Sequence, residues 1–139
     1  MTRLFLNVDV PDVARAAAFY CAALGLTVAR RLGPDVTELA GAGVPIFLLA
    51  KAAGTPPHAA PAAPRSYERH WSPIHFDLVV DEVEPALARA LAAGARLEAG
   101  VQSYDWGRMA VLADPFGHGF CIVELRGRGY AALADPQRG

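Results

Sequence analysis

The chain has 139 residues, which is enough for one well-filled core and too few for two ordinary independent domains. Apolar residues make up 53% and charged residues 19% of the chain, a composition typical of globular rather than disordered proteins. The formal net charge of −1 argues against a nucleic-acid partner, because phosphate binding needs an excess of basic residues on one face.

The sequence also bears on where the protein works. It contains no run of about 18 uninterrupted apolar residues, so we expect no membrane span. The N-terminus leads almost directly into a strand pattern and lacks a signal-peptide layout. The two cysteines, Cys21 and Cys121, lie far apart in different predicted elements. We therefore expect two reduced thiols and a cytoplasmic protein.

The first part of the chain predicts a strand, a helix and three further strands. A strand pattern over 4–10 stops at a Pro-Asp pair, of which Asp12 is suited to cap the following helix. Apolar residues recur at helical spacing over 13–24, and Gly25 supplies the left-handed residue that ends the helix. Short strands are then predicted over 26–30, 36–39 and 44–50.

The same order of elements returns about 70 residues later. A strand pattern over 74–80 is followed by Asp81 and Glu84, which predict a capping box for a second helix, and Gly94 ends that helix. A type I turn over 114–117 joins the last two strands. The second set of three strands is predicted over 96–98, 107–113 and 119–125.

This repeat predicts an α+β fold made of two βαβββ modules, 1–51 and 74–125, in a single domain over 1–125. The segment 52–73 is rich in Ala and Pro and is predicted to be a linker. Its last part, 65–71, is too aromatic and charged for a passive spacer, and it is expected to line the rim of a site or a dimer contact. Residues 126–139 form a C-terminal tail that folds back on the surface and then frays.

Short motifs add a resemblance to a known family. They are Ala-Phe-Tyr at 18–20, Leu-Gly-Leu at 24–26 and Asp-Pro-Phe-Gly-His at 114–118. With the repeated elements, they make residues 3–125 resemble the vicinal oxygen chelate superfamily of glyoxalases, bleomycin-resistance proteins and ring-cleaving dioxygenases. The resemblance implies that the two modules curve into a cup-like mixed sheet with the helices packed outside. It indicates fold more strongly than activity, since this scaffold serves many functions.

Metal-dependent members of that superfamily place ligands on the first and last strands of both modules. The resemblance puts these positions at Phe5, within 46–48, at His75 and at Cys121, and the two in the first module carry apolar residues. Such a site needs about three imidazole or carboxylate groups around one ion, and Glu124 points to the opposite face. We therefore expect no metal cofactor. If a divalent ion were bound, His75 would hold it, and a zinc or copper site would need a further donor.

Strand alternation places further polar side chains on the face that carries His75. They are Asn7, Asp9 and Asp77, which we expect to bind a ligand, with His75 as the candidate catalytic general base. The alternative is an open cup in which these groups simply meet solvent. Cys121 lies across the cup from His75 and is either a ligand contact or nucleophile, or a small buried hydrophobe.

A second candidate cluster lies at the start of the seventh predicted strand. Tyr104, Trp106 and Arg108 place aromatic and guanidinium groups at alternate positions, which suits stacking on a planar ligand and pairing with its anionic group. The alternative is that Trp106 and Gly107 form a packing feature. His118 is expected to be a solvent-facing turn residue.

Two functional hypotheses follow. The first is a protein that binds a small, partly aromatic or anionic molecule in the cup without a catalytic metal, as drug-resistance members of the superfamily do. The alternative is a lyase, isomerase or dioxygenase-like enzyme that uses His75 as metal ligand or general base. A partner-binding module with a vestigial cup is a third possibility. Phe5 and the apolar run 46–48 favour the first hypothesis over a metal enzyme.

The oligomeric state can be predicted from the surfaces that a short two-module chain leaves exposed. Sheet edges and apolar surface remain to be buried, so we expect a homodimer. The two modules could pair within one chain or between two chains. A small-molecule ligand is the expected partner, with no nucleic acid and no membrane.

Overall fold

The computed structural model describes residues 1–59 and 61–134. The first module is a strand, a helix and three strands in chain order. They are β1 (Leu6–Val10), α1 (Val13–Leu24), β2 (Thr27–Arg31), β3 (Val36–Ala40) and β4 (Ile46–Ala50). The strands form one four-stranded sheet in the order β1-β4-β3-β2, in which β1 and β4 run parallel and the other pairs run antiparallel.

The second module repeats this arrangement. It consists of β5 (Phe76–Val80), α2 (Val83–Ala93), β6 (Arg96–Tyr104), β7 (Gly107–Ala113) and β8 (Gly119–Leu125). Its sheet order is β5-β8-β7-β6, again with the first and last strands parallel. The predicted α+β fold of two βαβββ modules is therefore confirmed. Among the described residues, none of the helices has the length and apolar character needed to cross a membrane.

The first helix begins and ends as the sequence predicts. The Asp12 carboxylate accepts a hydrogen bond from the backbone N–H of Arg15 at 3.0 Å, which satisfies one of the free donors in the first turn. Gly25 ends the helix in the left-handed conformation, with φ of 67°. Local sequence is sufficient to set both ends of α1.

The start of the second helix differs from the prediction, and the expected capping box is wrong. Glu82 occupies the N-cap position and makes no side-chain capping bond. Instead, the backbone N–H of Val83 donates to Oε1 of Glu124, a buried residue of β8, at 3.1 Å. The free donor is thus satisfied by a neighbouring strand, and the side chain of Glu84 is left to contact Arg108.

One strand runs much further than its pattern indicates. The sequence predicts β6 over 96–98, but the strand extends to Tyr104. The pairing of β6 with β7 shifts register twice, between Leu97 and Ala99 and between Ala99 and Gln102. A bulge inserts an extra residue and breaks the two-residue alternation, so the sequence pattern loses its strand signal after the first shift. The bounds of β7 and β8 agree with the prediction.

The core is shared by both modules and lies between the helices and one face of each sheet. Side chains of both modules are buried together in it, and rings of the first module meet rings of the second: Phe19 lies edge-on to Phe116, and Tyr20 contacts Phe76. The two helices also contact each other. The modules therefore pair within a single chain. The opposite face of each sheet, which we call the cup face, carries the polar side chains considered next.

Candidate functional site

Three side chains of the second module lie close together on the cup face, and we call them the polar cluster: His75, Asp77 and Cys121. His75 directly precedes β5, and Asp77 is paired with Cys121 in the parallel ladder of β5 and β8. One nitrogen, oxygen or sulfur atom from each residue lies within 4.8 Å of the other two. The shared face follows from strand alternation and the ladder register, as the sequence predicts.

The members of the polar cluster differ in how far they are exposed to solvent. His75 and Asp77 are each about one-third exposed, and Nε2 of His75 lies 3.5 Å from Oδ1 of Asp77. Cys121 is only 2% exposed. Burial, the Asp77 charge and a hydrogen bond from the thiol to the Asp77 carboxylate raise the pKa of Cys121 to about 11. The thiol is therefore protonated at neutral pH, which favours a role in holding Asp77 over a role as nucleophile.

The first module presents a different surface on the same side of the sheets. Phe5 lies just before β1, and its ring packs edge-on against the ring of Phe47 on β4, with 5.2 Å between centroids. Phe47 is paired with Asn7 in the parallel ladder, so both residues are on the cup face. These two phenyl rings lie at the positions where the resemblance places metal ligands in the first module.

Asp9 is bound by groups from outside its own strand. Its carboxylate accepts a hydrogen bond from Nε of Arg65 at 2.7 Å. Its backbone carbonyl lies 2.7 Å from Nε2 of His118, and because a carbonyl can only accept, the imidazole must donate. His118 is therefore half-buried between the modules, and the expectation of a solvent-facing turn residue is wrong. The Asn7 side chain is exposed, and within the described residues it makes no hydrogen bond.

The end of the linker, residues 65–71, packs across both modules, and we call it the strap. The hydroxyl of Tyr67 donates to the carbonyl of Lys51, and the Arg69 guanidinium binds both oxygens of Glu98 at 2.5 and 2.6 Å. The strap ends at Trp71, whose ring centroid lies 4.7 Å from that of His75. Of the two expected roles for 65–71, the structure thus supports the rim of the cup.

Two glycines let the strap approach the turn between β7 and β8. A Cβ at Gly117 would lie 2.3 Å from the carbonyl oxygen of Tyr67. A Cβ at Gly119 would lie 2.6 Å from Nη2 of Arg69 and 2.8 Å from the ring of Trp71. The Gly-x-Gly spacing at 117–119 is a further sequence signal, not used in the prediction, that another chain segment passes close by.

A cavity of about 560 Å³ lies between the modules and below the end of the strap. Apolar walls come from both sides, with Leu6 and Val8 on β1 and Ile74 and Phe76 on the second module. The cavity is also lined by polar residues from three chain segments: Asn7, Asp9, His70, Ser72, His75 and His118. Ser72 and His118 were not predicted here, because their places depend on tertiary contacts rather than strand alternation. His70 belongs to the segment 65–71 that was expected at a rim or dimer contact.

Arg108 does not reach this cavity. In the antiparallel ladder it is paired with Glu124, on the helix-packed face of the sheet. Its guanidinium contacts the carboxylate of Glu84 on α2, and it also lies 3.8 Å from that of Glu124. The expected pairing of Arg108 with an anionic ligand in the cup must therefore be corrected. The prediction assumed that side chains alternate between the two faces from Tyr104 to Arg108. A turn at 105–106 separates the two strands, so this alternation does not continue across it.

Tyr104 and Trp106 form a packing cluster at the other end of the module. Their rings are parallel and 5.0 Å apart, and Trp106 also contacts Tyr130 of the tail at 5.2 Å. They lie beside Gly107, which is paired with Leu125 at the end of β8, whereas His75 lies near the start of that strand. The tail folds back as predicted, while the fraying expected over 135–139 falls outside the described residues.

The donor groups do not fit the two-module metal site that the resemblance implies. Phe5 and Phe47 offer no ligand atom and pack against each other. Within the part of the chain that the structure describes, only the polar cluster could hold an ion, with one nitrogen, one oxygen and one sulfur donor. Binding there would have to remove the thiol proton of Cys121, whose pKa is raised to about 11.

Comparison with known proteins places this geometry in a family. The model of the glyoxalase-like domain matches residues 5–123. The chain is 18% identical to a glyoxalase-related enzyme from Fulvimarina pelagi, with a TM-score of 0.67 over 89% of this chain and 88% of that one. It is 19% identical to a glyoxalase/bleomycin resistance protein/dioxygenase family enzyme from Burkholderia phytofirmans PsJN, with a TM-score of 0.66 over 88% and 97% of the two chains.

A lactoylglutathione lyase from Agrobacterium tumefaciens is also similar. It is 19% identical to the chain, with a TM-score of 0.62 over 88% of this chain and 92% of that one. No curated protein matches the chain. At these identities the structural neighbours show a shared fold, and activity has to be inferred from the residues of the site itself.

Proposed function

The chain belongs to the glyoxalase-like domain family of the vicinal oxygen chelate superfamily, and from that premise we propose that it binds a small, partly aromatic or anionic molecule in the cup without a catalytic metal. The observation that carries this proposal is the cavity of about 560 Å³ between the modules, with Asn7 on one side and His75 on the other. That volume lies within the range usual for small-molecule sites.

The lining of the cavity supports this choice of ligand. The side chains of Leu6, Ile74 and Phe76 offer apolar and aromatic contact, which suits the body of a small organic molecule. Hydrogen-bonding groups converge on the same space from Asn7 and His75. An imidazole can donate to an anionic group as well as accept from a neutral one, so it can orient either kind of ligand.

The missing donors of the first module support a metal-free site. An ion bound by both modules would need ligands where the rings of Phe5 and Phe47 now pack. The expected absence of a metal cofactor remains part of the proposal.

A second candidate function is favoured by one specific observation, the 3.5 Å approach of Nε2 of His75 to Oδ1 of Asp77. A carboxylate at this position can orient an imidazole, which is the arrangement of a general base. In this alternative the chain is an enzyme of the lyase, isomerase or dioxygenase-like kind. His75 would take a proton from a ligand bound in the cavity, and His75→Ala would abolish turnover.

The test combines metal analysis with a search for bound molecules in the purified protein. We expect native mass spectrometry to detect a small organic molecule in the wild type, and elemental analysis to find no stoichiometric Zn, Ni, Mn or Fe. His75→Ala should reduce occupancy, whereas His58→Ala, which alters an exposed linker residue, should not. Stoichiometric metal that is lost in the His75→Ala variant would contradict the proposal and favour a metal enzyme.

A further inference from the structure

A second concave surface lies on the opposite side of the first module's sheet from the cup. It is a groove of about 460 Å³ between α1 and the β2–β3 hairpin, and we call it the helix groove. One wall is a single face of α1 and the other is formed by the hairpin. Its lining includes Val13, Ala17, Cys21, Val28, Arg31 and Thr37.

The helix groove exists because the side chains on this face of α1 are small. The two helices begin at equivalent residues of the repeat, so the fifth and ninth positions of each can be compared. These positions hold Ala17 and Cys21 in α1, but Leu87 and Leu91 in α2. Alanine and cysteine have fewer heavy atoms than leucine, so this face of α1 is less bulky than the equivalent face of α2.

A bulge in β2 turns an arginine toward this groove. The pairing with β3 changes register between Val28 and Arg30, after which Arg31 is paired with Thr37. Thr37 belongs to the helix-packed face and is only 5% exposed. Without the extra residue, alternation from Val28 would place Arg30 on that face instead. Arg30 is paired with Glu38 on the cup face and forms an ion pair with it at 2.5 Å.

Two polar groups of the helix groove lack partners within the described residues. Thr37 lines the groove, and its hydroxyl makes no hydrogen bond within the described residues while remaining open to the groove. The Arg31 guanidinium is exposed at the mouth and, in the described part of the chain, forms no salt bridge. Since the two residues face each other across the hairpin, both can contact one ligand group.

From this arrangement we propose that the helix groove is a second binding site, for an amphipathic monoanion such as a medium-chain carboxylate. The carboxylate accepts hydrogen bonds from Arg31 and Thr37, and the apolar chain lies along α1 toward Cys21. From Val13 to Cys21 the helix spans about 12 Å, which accommodates a chain of medium length. This site is independent of the one proposed in the cup, because the two cavities share no lining residue.

Octanoate is the probe, and its binding is measured by isothermal titration calorimetry. We expect Arg31→Gln to weaken binding by about 3- to 10-fold, because a charge-assisted hydrogen bond is lost. Thr37→Val should weaken binding less, and Cys21→Leu should abolish it by placing a larger side chain in the groove. Arg30→Gln is the matched control and should bind octanoate like the wild type, as should His75→Ala.

A second measurement keeps the test valid if Cys21→Leu does not fold. Cys21 is partly exposed in the helix groove whereas Cys121 is 2% exposed, so a thiol reagent should modify Cys21 first in the wild type. Octanoate should slow this modification, and octanol, which lacks the charge, should slow it less. The proposal is overturned if millimolar octanoate neither binds the wild type nor protects Cys21, or if Arg31→Gln and Arg30→Gln bind it equally well.

Discussion

Tyr20 and Asp114 join the two modules through buried polar groups. The Tyr20 hydroxyl donates a hydrogen bond to Oδ2 of Asp114, and both residues are nearly inaccessible to solvent. The other oxygen, Oδ1, accepts bonds from the backbone N–H groups of Phe116 and His118, each at 2.8 Å. Burial, followed by the charge of Asp114, raises the pKa of Tyr20 well above its ordinary value. The turn between β7 and β8 thus depends on a residue of α1.

Removing this hydroxyl should destabilise the whole protein. We expect Tyr20→Phe to lower the free energy of unfolding by about 1–3 kcal/mol, because the buried Asp114 carboxylate loses a donor and no water replaces it. Urea unfolding measures the change. Tyr104→Phe is the control, since that hydroxyl bonds to Gln102 on the surface and its loss should cost less than about 0.5 kcal/mol. Equal stability of the two variants would contradict the structural role of Tyr20.

The buried thiol of Cys121 predicts a loss of stability in alkaline solution. Its pKa is raised from 9.0 to about 11 in the folded state, so between these values the unfolded chain binds fewer protons than the folded one. The stability due to the neutral thiol is therefore fully present below pH 9 and is lost as the pH rises toward 11. Tyr20, Cys21 and Tyr67 also have raised pKa values and add to the same trend.

A variant isolates the contribution of Cys121. The free energy of unfolding, measured by urea at several pH values from 8 to 11, should fall less steeply for Cys121→Ala than for the wild type. Cys21→Ala, which removes a more exposed thiol, should flatten the profile less. If Cys121→Ala and the wild type gave parallel profiles, the thiol would not be held in its neutral form.

At the scale of secondary-structure elements, the sequence predicted the features that depend on residues close together in the chain. Asp12 and Gly25 set the ends of α1, and the strands β7 and β8 match their sequence patterns. The start of α2 could not be predicted, because its free N–H is satisfied by Glu124, 41 residues further along the chain. Bulges in β2 and β6 were also missed, since an inserted residue leaves no signal in composition.

The residues of the candidate site also fall into those that local sequence could predict and those that depend on tertiary contacts. His75, Asp77 and Cys121 share a face by alternation and ladder register, and the sequence placed all three in the cup. Arg108 was misplaced because a turn separates it from Tyr104. His118 joins the site through a contact between distant segments, which no pattern within a single element could indicate. Trp71, which packs on His75, belongs to the segment 65–71 that was expected at a rim or dimer contact.

The position of the strap can be tested by a substitution that adds a single methyl group to β8. A Cβ at Gly119 would lie 2.8 Å from the Trp71 ring and 2.6 Å from Arg69, so Gly119→Ala should displace the end of the strap from β8. We expect a loss of about 1–3 kcal/mol in the free energy of unfolding and a change in tryptophan fluorescence.

The matched control for this change is Gly100→Ala on β6. An alanine methyl group at this position would meet no atom within 4 Å, and Gly100 does not require a positive φ, so alanine should be tolerated there. Hydrogen exchange over 67–71 should rise in Gly119→Ala and stay unchanged in Gly100→Ala. Unchanged exchange in both variants would show that the strap does not depend on the open space at Gly119.

At the scale of the whole molecule, the two modules share one core. Aromatic rings of α1 contact rings of the second module, with centroid distances of 6.3 Å for Phe19 and Phe116 and 6.5 Å for Tyr20 and Phe76. Each sheet has one face covered by these helices and the other directed to the cup. Large apolar side chains also remain exposed, among them Leu4, Ile74 and Val79. They are consistent with the expected homodimer, which, like the cytoplasmic location, stays a prediction.

A shared core predicts that the two modules unfold together, as the proposed single domain over 1–125 requires. Neither sheet can lose its helix without exposing aromatic rings that the other module covers, so partial unfolding should be unfavourable. Both tryptophans, Trp71 and Trp106, lie outside the first module and report on the second, whereas far-ultraviolet circular dichroism reports on both helices. The urea transitions from these two probes should coincide. Tyr20→Phe, a change in α1, should shift the fluorescence transition as far as the dichroism transition. A shift confined to dichroism, or two separate transitions in the wild type, would show that the modules fold as independent units.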